Sequence, residues 1–160
     1  MLQGHDGSIV YLLICDSYSD LLFGIPTPGK SPPFLWLHTL LTQICPPPDV
    51  HKVIRMDLGG ETGRHPALCT LFLHHGYAIE TTSSYASSQN GSMECPHSTI
   101  GHALQCMLHG TSLDYKYWPF AFTHFLRINA IMPKVISVES SYMRATGKQS
   151  DADKLHSFGS

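Results

Sequence analysis

Long apolar runs are missing from this chain of 160 residues. The longest fully apolar stretch, residues 9–15, has seven residues, whereas a helix that spans a membrane needs about 20. No Lys or Arg precedes this stretch, and two acidic residues follow it within five positions, a pattern unlike that of a signal peptide. The sequence therefore predicts an intracellular protein with no membrane partner.

Basic residues are also scarce. Lys and Arg number 10 against 12 Asp and Glu, which gives a net charge of −2, and residues 92–109 contain no Lys or Arg. Proteins that bind nucleic acid usually present a basic face, because contacts from Lys and Arg to phosphate supply much of the affinity. The charge balance alone therefore argues against tight nucleic-acid binding.

Closely spaced cysteines are absent as well. The five cysteines form no C-x-x-C pair, so the sequence predicts neither a disulfide framework nor a zinc knuckle. The five histidines between positions 74 and 109 stand at no spacing typical of a zinc finger. A histidine-rich metal-binding domain is thus a weak alternative, and it would take up zinc tightly.

The apolar pattern that is present predicts alternating strands and helices. Residues 8–26 predict a hairpin, and its first strand shows no alternation, which is typical of a strand buried on both faces. The elements expected after it are a helix over 33–44, a strand over 52–57, a helix over 65–76, a strand over 77–82, a turn at Asn90-Gly91, a helix beginning near Glu94, and a helix over 117–130. This order indicates an α/β fold with a mixed sheet flanked by helices.

Aromatic residues cluster between positions 115 and 125. Such rings could stack on nucleic-acid bases. At helical spacing they more often fill a core, and we expect that here.

Two carboxylates stand where such a fold places functional groups. Asp57 ends a predicted buried strand and precedes two glycines, which let the backbone approach a ligand closely. Glu94 lies near the start of a predicted helix that otherwise has the pattern of a core helix. The simpler alternatives are that Asp57 only forms the turn and that Glu94 only favours the helix dipole, worth ~0.3–1 kcal/mol. A strand-end Asp and a helical Glu can also converge on Mg²⁺, which prefers hard oxygen ligands.

Three segments resemble copia-type long-terminal-repeat retrotransposon integrases. They are RMDLGGE at 55–61, GYAIETTSSYASSQNGSMECPH at 76–97 and SSYMRATGKQSDADKLHSFG at 140–159. The resemblance implies a ribonuclease-H-like catalytic core that integrates DNA by metal-dependent phosphodiester strand transfer. It also implies an Asp-Asp-Glu triad with two Mg²⁺ (or Mn²⁺) ions, element ends and target DNA as partners, a homo-oligomer, and a nuclear location for an active integrase.

The family's functional residues match this chain only in part. Asp57 matches the second Asp and Glu94 the Glu, so the resemblance implies that both are catalytic metal ligands. Asp16 falls in the hairpin turn and Asp6 in the linker before it, and neither matches the first Asp. We expect that residue, with the central strand of the sheet, to lie upstream of Met1.

These departures define two interpretations. In the first interpretation, residues 1–133 are a partial integrase core and residues 134–160 are a C-terminal extension. The helix after Glu94 also lacks the Lys and Arg usual in the family. The alternative interpretation is therefore a non-catalytic relic or an adopted module that binds nucleic acid or protein through the same fold.

The expected lack of a central strand predicts poor solubility when this chain is expressed alone. The apolar strand over 8–15 would keep an open edge, a template for aggregation. Each buried unsatisfied backbone group costs ~1–3 kcal/mol, so a handful would cancel a typical domain stability of ~5–15 kcal/mol. Size-exclusion chromatography tests this expectation. A soluble monomer with a sharp, cooperative melt would contradict it.

Overall fold

The structure is a computed structural model that describes residues 2–44, 51–57, 65–82, 87–133, 138–150, 152 and 155–160, with the backbone alone at 57, 82 and 87–94. Its strands and helices follow one another as β1 (Val10–Cys15), β2 (Leu22–Thr27), α1 (Phe34–Gln43), β3 (Val53–Asp57), α2 (Pro66–His74), β4 (Ala78–Thr82), α3 (Ser87–Gly110), α4 (Trp118–Ile131) and α5 (Ser141–Thr146). The chain divides into two compact units, Met1–Gly29 with Met93–Ser160, and Lys30–Ser92.

The predicted hairpin is confirmed in the first unit. β1 and β2 pair antiparallel, with Val10 opposite Thr27 and Cys15 opposite Leu22. The expectation that β1 is buried on both faces is wrong, because all six of its residues are only half-buried. The face that carries Tyr11 and Leu13 packs against the helical core, whereas Val10, Leu12 and Ile14 of the opposite face are half-buried and do not belong to it.

The core of the first unit lies between α3 and α4. Ile100, Leu104 and Leu108 recur every four residues and form one buried stripe on α3. Trp118 and Phe122 of α4 are both completely buried against them. The aromatic cluster around α4 therefore supplies core residues, as its helical spacing predicts.

The described residues after position 138 also pack on the first unit. The Ser140 hydroxyl caps α5 by accepting a hydrogen bond from the Met143 amide. Arg144 of α5 then binds the hairpin turn, with its Nη1 3.2 Å from Oδ2 of Asp20. Phe158 lies partly buried against the core. A C-terminal extension beginning at 134 stays a prediction, but its described residues do not simply lie on the surface.

The second unit contains a strand–helix–strand arrangement. β3 and β4 pair in parallel, with Val53 opposite Ala78 and Asp57 opposite Thr82. α2 connects them and buries Leu68 and Phe72. A parallel pair needs such a crossover, because a tight turn can only join antiparallel strands.

The α/β class is confirmed, but the described strands form two sheets of two strands each and not one mixed sheet. Neither β1 nor β3 gains a third strand among the described residues. Two-stranded sheets are marginally stable by themselves, so each depends on the helices that cover it. In the part of the chain that the structure describes, no helix combines the length and the apolar character needed to cross a membrane.

Gly24 sets how closely α4 approaches the hairpin. A Cβ atom built on Gly24 would lie 2.6 Å from Cζ of Phe122 and 3.1 Å from Cδ1 of Leu126. Real side chains do not tolerate the first distance, and Phe122 is completely buried and cannot move aside freely. The hairpin therefore packs on α4 only with glycine at this position.

We expect Gly24→Ala to lower the free energy of unfolding by about 1–3 kcal/mol, because the added methyl group overpacks the core. Gly29→Ala is the matched control, since an added Cβ there meets nothing within 4 Å. It should change stability by no more than about 0.5 kcal/mol. Urea unfolding of the soluble fraction, followed by tryptophan fluorescence, measures both. Equal stability of the two variants would contradict the proposed contact.

Candidate functional site

Asp57 is the last residue of β3, at the carboxyl end of the parallel pair β3–β4. Two positions earlier, Arg55 lies opposite Glu80 of β4, and their side chains form an exposed ion pair at 3.0 Å. In α/β folds the carboxyl ends of parallel strands are where ligands commonly bind. The position of Asp57 on a regular strand end, expected from its sequence, is confirmed.

Glu94 lies inside α3 and not in its first turn. The predicted turn at Asn90-Gly91 is wrong, because α3 already begins at Ser87 and runs through both residues. A helix tolerates one interior glycine at a cost of about 1 kcal/mol. Glu94 follows the helix start by seven residues, beyond the first turn in which the dipole acts. The dipole interpretation of Glu94 therefore does not hold.

Asp57 and Glu94 belong to different units of the chain. Their convergence on one metal ion stays a prediction. Among the residues whose side chains the structure describes, no group of three or more His, Cys, Asp or Glu is suited to hold a metal. Asp57 and Glu94 lie outside that set.

The other acidic residues near the N-terminus bind local partners. The Asp16 carboxylate accepts hydrogen bonds from the Ser19 amide, at 2.9 Å, and from the Ser19 hydroxyl, which holds the hairpin turn. Asp6 accepts a hydrogen bond from the Ser8 amide at 2.9 Å. These contacts agree with turn and linker roles for both residues.

A hydrogen bond between Tyr11 and His97 ties α3 to the hairpin. The Tyr11 hydroxyl lies 2.9 Å from Nδ1 of His97, and its ring stacks on Phe122 with the centroids 4.5 Å apart. Burial, and then the neighbouring Tyr115, raises the pKa of Tyr11. Partial burial lowers the pKa of His97. Because His97 follows Glu94 by one helical turn, this bond fixes the segment of α3 next to the predicted metal ligand.

Sequence reasoning missed this contact because the two residues are separated by 86 positions. In the sequence, His97 is one of several histidines that could bind zinc, and Tyr11 is one residue of an apolar strand. A tyrosine in a strand that otherwise holds aliphatic residues and a cysteine was the available signal, since a half-buried hydroxyl needs a hydrogen-bond partner.

Acidification should destabilise the first unit through His97. The folded chain lowers the pKa of His97 below its unfolded value of ~6.5, so the unfolded state takes up more protons as the pH falls. Stability is then fully present above pH ~6.5 and declines below it. We expect the melting temperature to drop between pH 7.5 and 5.5, and to drop less in His97→Gln. His102→Gln, an exposed histidine on the same helix, should follow the parent profile. Identical slopes for the parent and His97→Gln would contradict this role.

Comparisons with known proteins bear on the origin of the chain. No family model matches it. The chain is 31% identical over 104 residues, 64% of its length, to the retrovirus-related Pol polyprotein from transposon RE1 of Arabidopsis thaliana. The match spans 7% of that polyprotein. This likeness supports a retrotransposon Pol origin for the chain.

Proposed function

We propose that this chain is part of the catalytic core of a copia-type retrotransposon integrase, with a ribonuclease-H-like fold. The observation that carries the proposal is its likeness to a retrotransposon Pol polyprotein over 104 residues. The integrase-like motifs around Asp57 and Glu94 favour integration among the activities of a Pol polyprotein. The position of Asp57 at the end of a parallel strand supports the same function.

The donor set of the proposed site fits Mg²⁺ or Mn²⁺. Asp57 and Glu94 offer carboxylate oxygens, and Mg²⁺ often binds proteins through one or two carboxylates with water and substrate phosphates completing its shell. When bound, such ions stabilise the charge on the attacking and leaving oxygens of a phosphodiester displacement. Asp57 lies on a strand and Glu94 on a helix, and regular elements hold ligands more accurately than loops do.

The partners of the proposed site follow from its chemistry. Strand transfer joins element ends to target DNA, so both duplexes have to reach the carboxylates. Access to chromosomal DNA would require the active protein to enter the nucleus, and joining two element ends would favour a homo-oligomer. The Tyr11–His97 hydrogen bond would position α3, and with it Glu94, while DNA binds.

A second candidate function is a non-catalytic module of the same fold that binds nucleic acid or protein. Two observations favour it. Residues 92–109 offer no Lys or Arg to a DNA phosphate. Asp6 and Asp16 do not match the first Asp of the triad, and both are engaged in local hydrogen bonds.

Measurements of metal binding and of strand transfer distinguish the two candidate functions. We expect Asp57→Asn and Glu94→Gln each to weaken Mn²⁺ binding at least tenfold, because loss of residues that only support a metal ligand already costs about 10–100-fold. In the integrase function both variants also abolish metal-dependent joining of DNA ends. Electron paramagnetic resonance of free Mn²⁺ and a strand-transfer assay provide the measurements.

Glu80→Gln is the matched control. Glu80 is an exposed carboxylate in the same unit as Asp57 and pairs with Arg55. Its replacement should leave Mn²⁺ binding unchanged. If the parent and all variants join DNA ends only at the background level, while Asp57→Asn loses Mn²⁺ binding, the non-catalytic module is the correct function. Unchanged Mn²⁺ binding in Asp57→Asn would overturn its assignment as a ligand.

A further inference from the structure

Two histidines of the second unit contact each other through their ring nitrogens. Nδ1 of His38 in α1 lies 3.0 Å from Nε2 of His75, the residue directly after α2. The ring centroids are 5.0 Å apart and the planes meet at 61°, so the rings meet through a nitrogen edge and do not stack. The contact is exposed to solvent. Neither the proposed integrase site nor its ligands include this pair.

We propose that His38 and His75 bind a divalent transition-metal ion of the zinc class. Zn–N bonds of ≈2.0–2.1 Å place two nitrogens of a tetrahedral site roughly 3.3 Å apart. The observed 3.0 Å has to widen by a few tenths of an ångström, and both exposed rings have to tilt so that their nitrogen lone pairs converge on the metal. One of the two facing nitrogens carries the proton of the hydrogen bond. When the metal binds, this nitrogen gives its proton to water, and the other nitrogen of the same ring takes one up. No proton is released overall when both rings start neutral.

The electrostatic surroundings keep His75 ready to act as a ligand. Partial desolvation lowers its pKa, and the charges that His38, His74 and Lys52 can carry lower it further. Metals bind the neutral form of imidazole, so this shift favours binding near pH 7. Lys52 also repels a cation, although its ammonium group lies over the ring of Tyr77, 5.8 Å from the centroid.

The site differs from a structural zinc site in its number of ligands. No third His, Cys, Asp or Glu completes it among the side chains that the structure describes. Water then fills the remaining positions, and the affinity falls below that of a closed four-ligand site. Bound metal would link α1 to the end of α2, the helix that connects β3 to β4. It would therefore stabilise the second unit by mass action.

Calorimetric titration of the full chain with Zn²⁺ at pH 7.5 tests the proposal. We expect one equivalent of Zn²⁺ that is lost, or bound at least tenfold more weakly, in both His38→Gln and His75→Gln. His102→Gln is the control and should retain it. The same equivalent should disappear in the parent at pH 5.5, where protons compete for imidazole. Circular dichroism at 222 nm verifies that each variant keeps the parent's helical content.

The outcome is independent of the integrase proposal. The equivalent assigned to this pair is the one lost in His38→Gln and His75→Gln, whereas any Zn²⁺ held by Asp57 and Glu94 would persist in both variants. If a variant fails to fold, a Zn²⁺-dependent rise in the melting temperature of the parent that is absent at pH 5.5 still supports the site. Folded His38→Gln with unchanged Zn²⁺ affinity, or a parent that takes up no Zn²⁺, would overturn it.

Discussion

The first unit depends on the packing of one hairpin face against α4. Tyr11 lies at the centre of this contact, because its ring stacks on Phe122 while its hydroxyl bonds His97 of α3. One side chain thereby connects a strand to both long helices of the unit. Gly24 on β2 makes the contact possible, since any side chain there would meet Phe122. A two-stranded sheet gains its stability from such cover and not from its own hydrogen bonds.

The second unit meets the same constraint with a different topology. Its parallel strands cannot be joined by a tight turn, so α2 has to cross over and bury Leu68 and Phe72 as it does so. α1 adds a second helix with Leu37 among its buried residues. His38 of α1 and His75, which directly follows α2, meet at the exposed surface. Buried apolar residues thus anchor α1 and α2 in the second unit, and the two histidines meet at its solvent-exposed surface.

Local pattern predicted most elements because strands and helices are encoded by nearby residues. The hairpin, both helices of the second unit and the α4 core followed from apolar spacing, and Pro119 is tolerated in the first turn of α4. The predicted turn at Asn90-Gly91 is wrong. The preference of these two residues for a turn is weak, and α3 continues through them. The Tyr11–His97 and His38–His75 pairs could not be predicted, because contacts across 86 and 37 positions depend on how elements pack.

The charge pattern constrains how the proposed integrase core could hold DNA. The chain has 10 basic residues against 12 acidic ones, and the structure pairs two of the basic ones, Arg55 with Glu80 and Arg144 with Asp20. Paired guanidinium groups attract phosphate less than free ones do, and α3 adds none between positions 92 and 109. A divalent ion brings two positive charges to a single point, where a phosphate can bind it directly. In the proposed function, metal held by Asp57 and Glu94 would therefore supply positive charge that residues 92–109 of α3 do not.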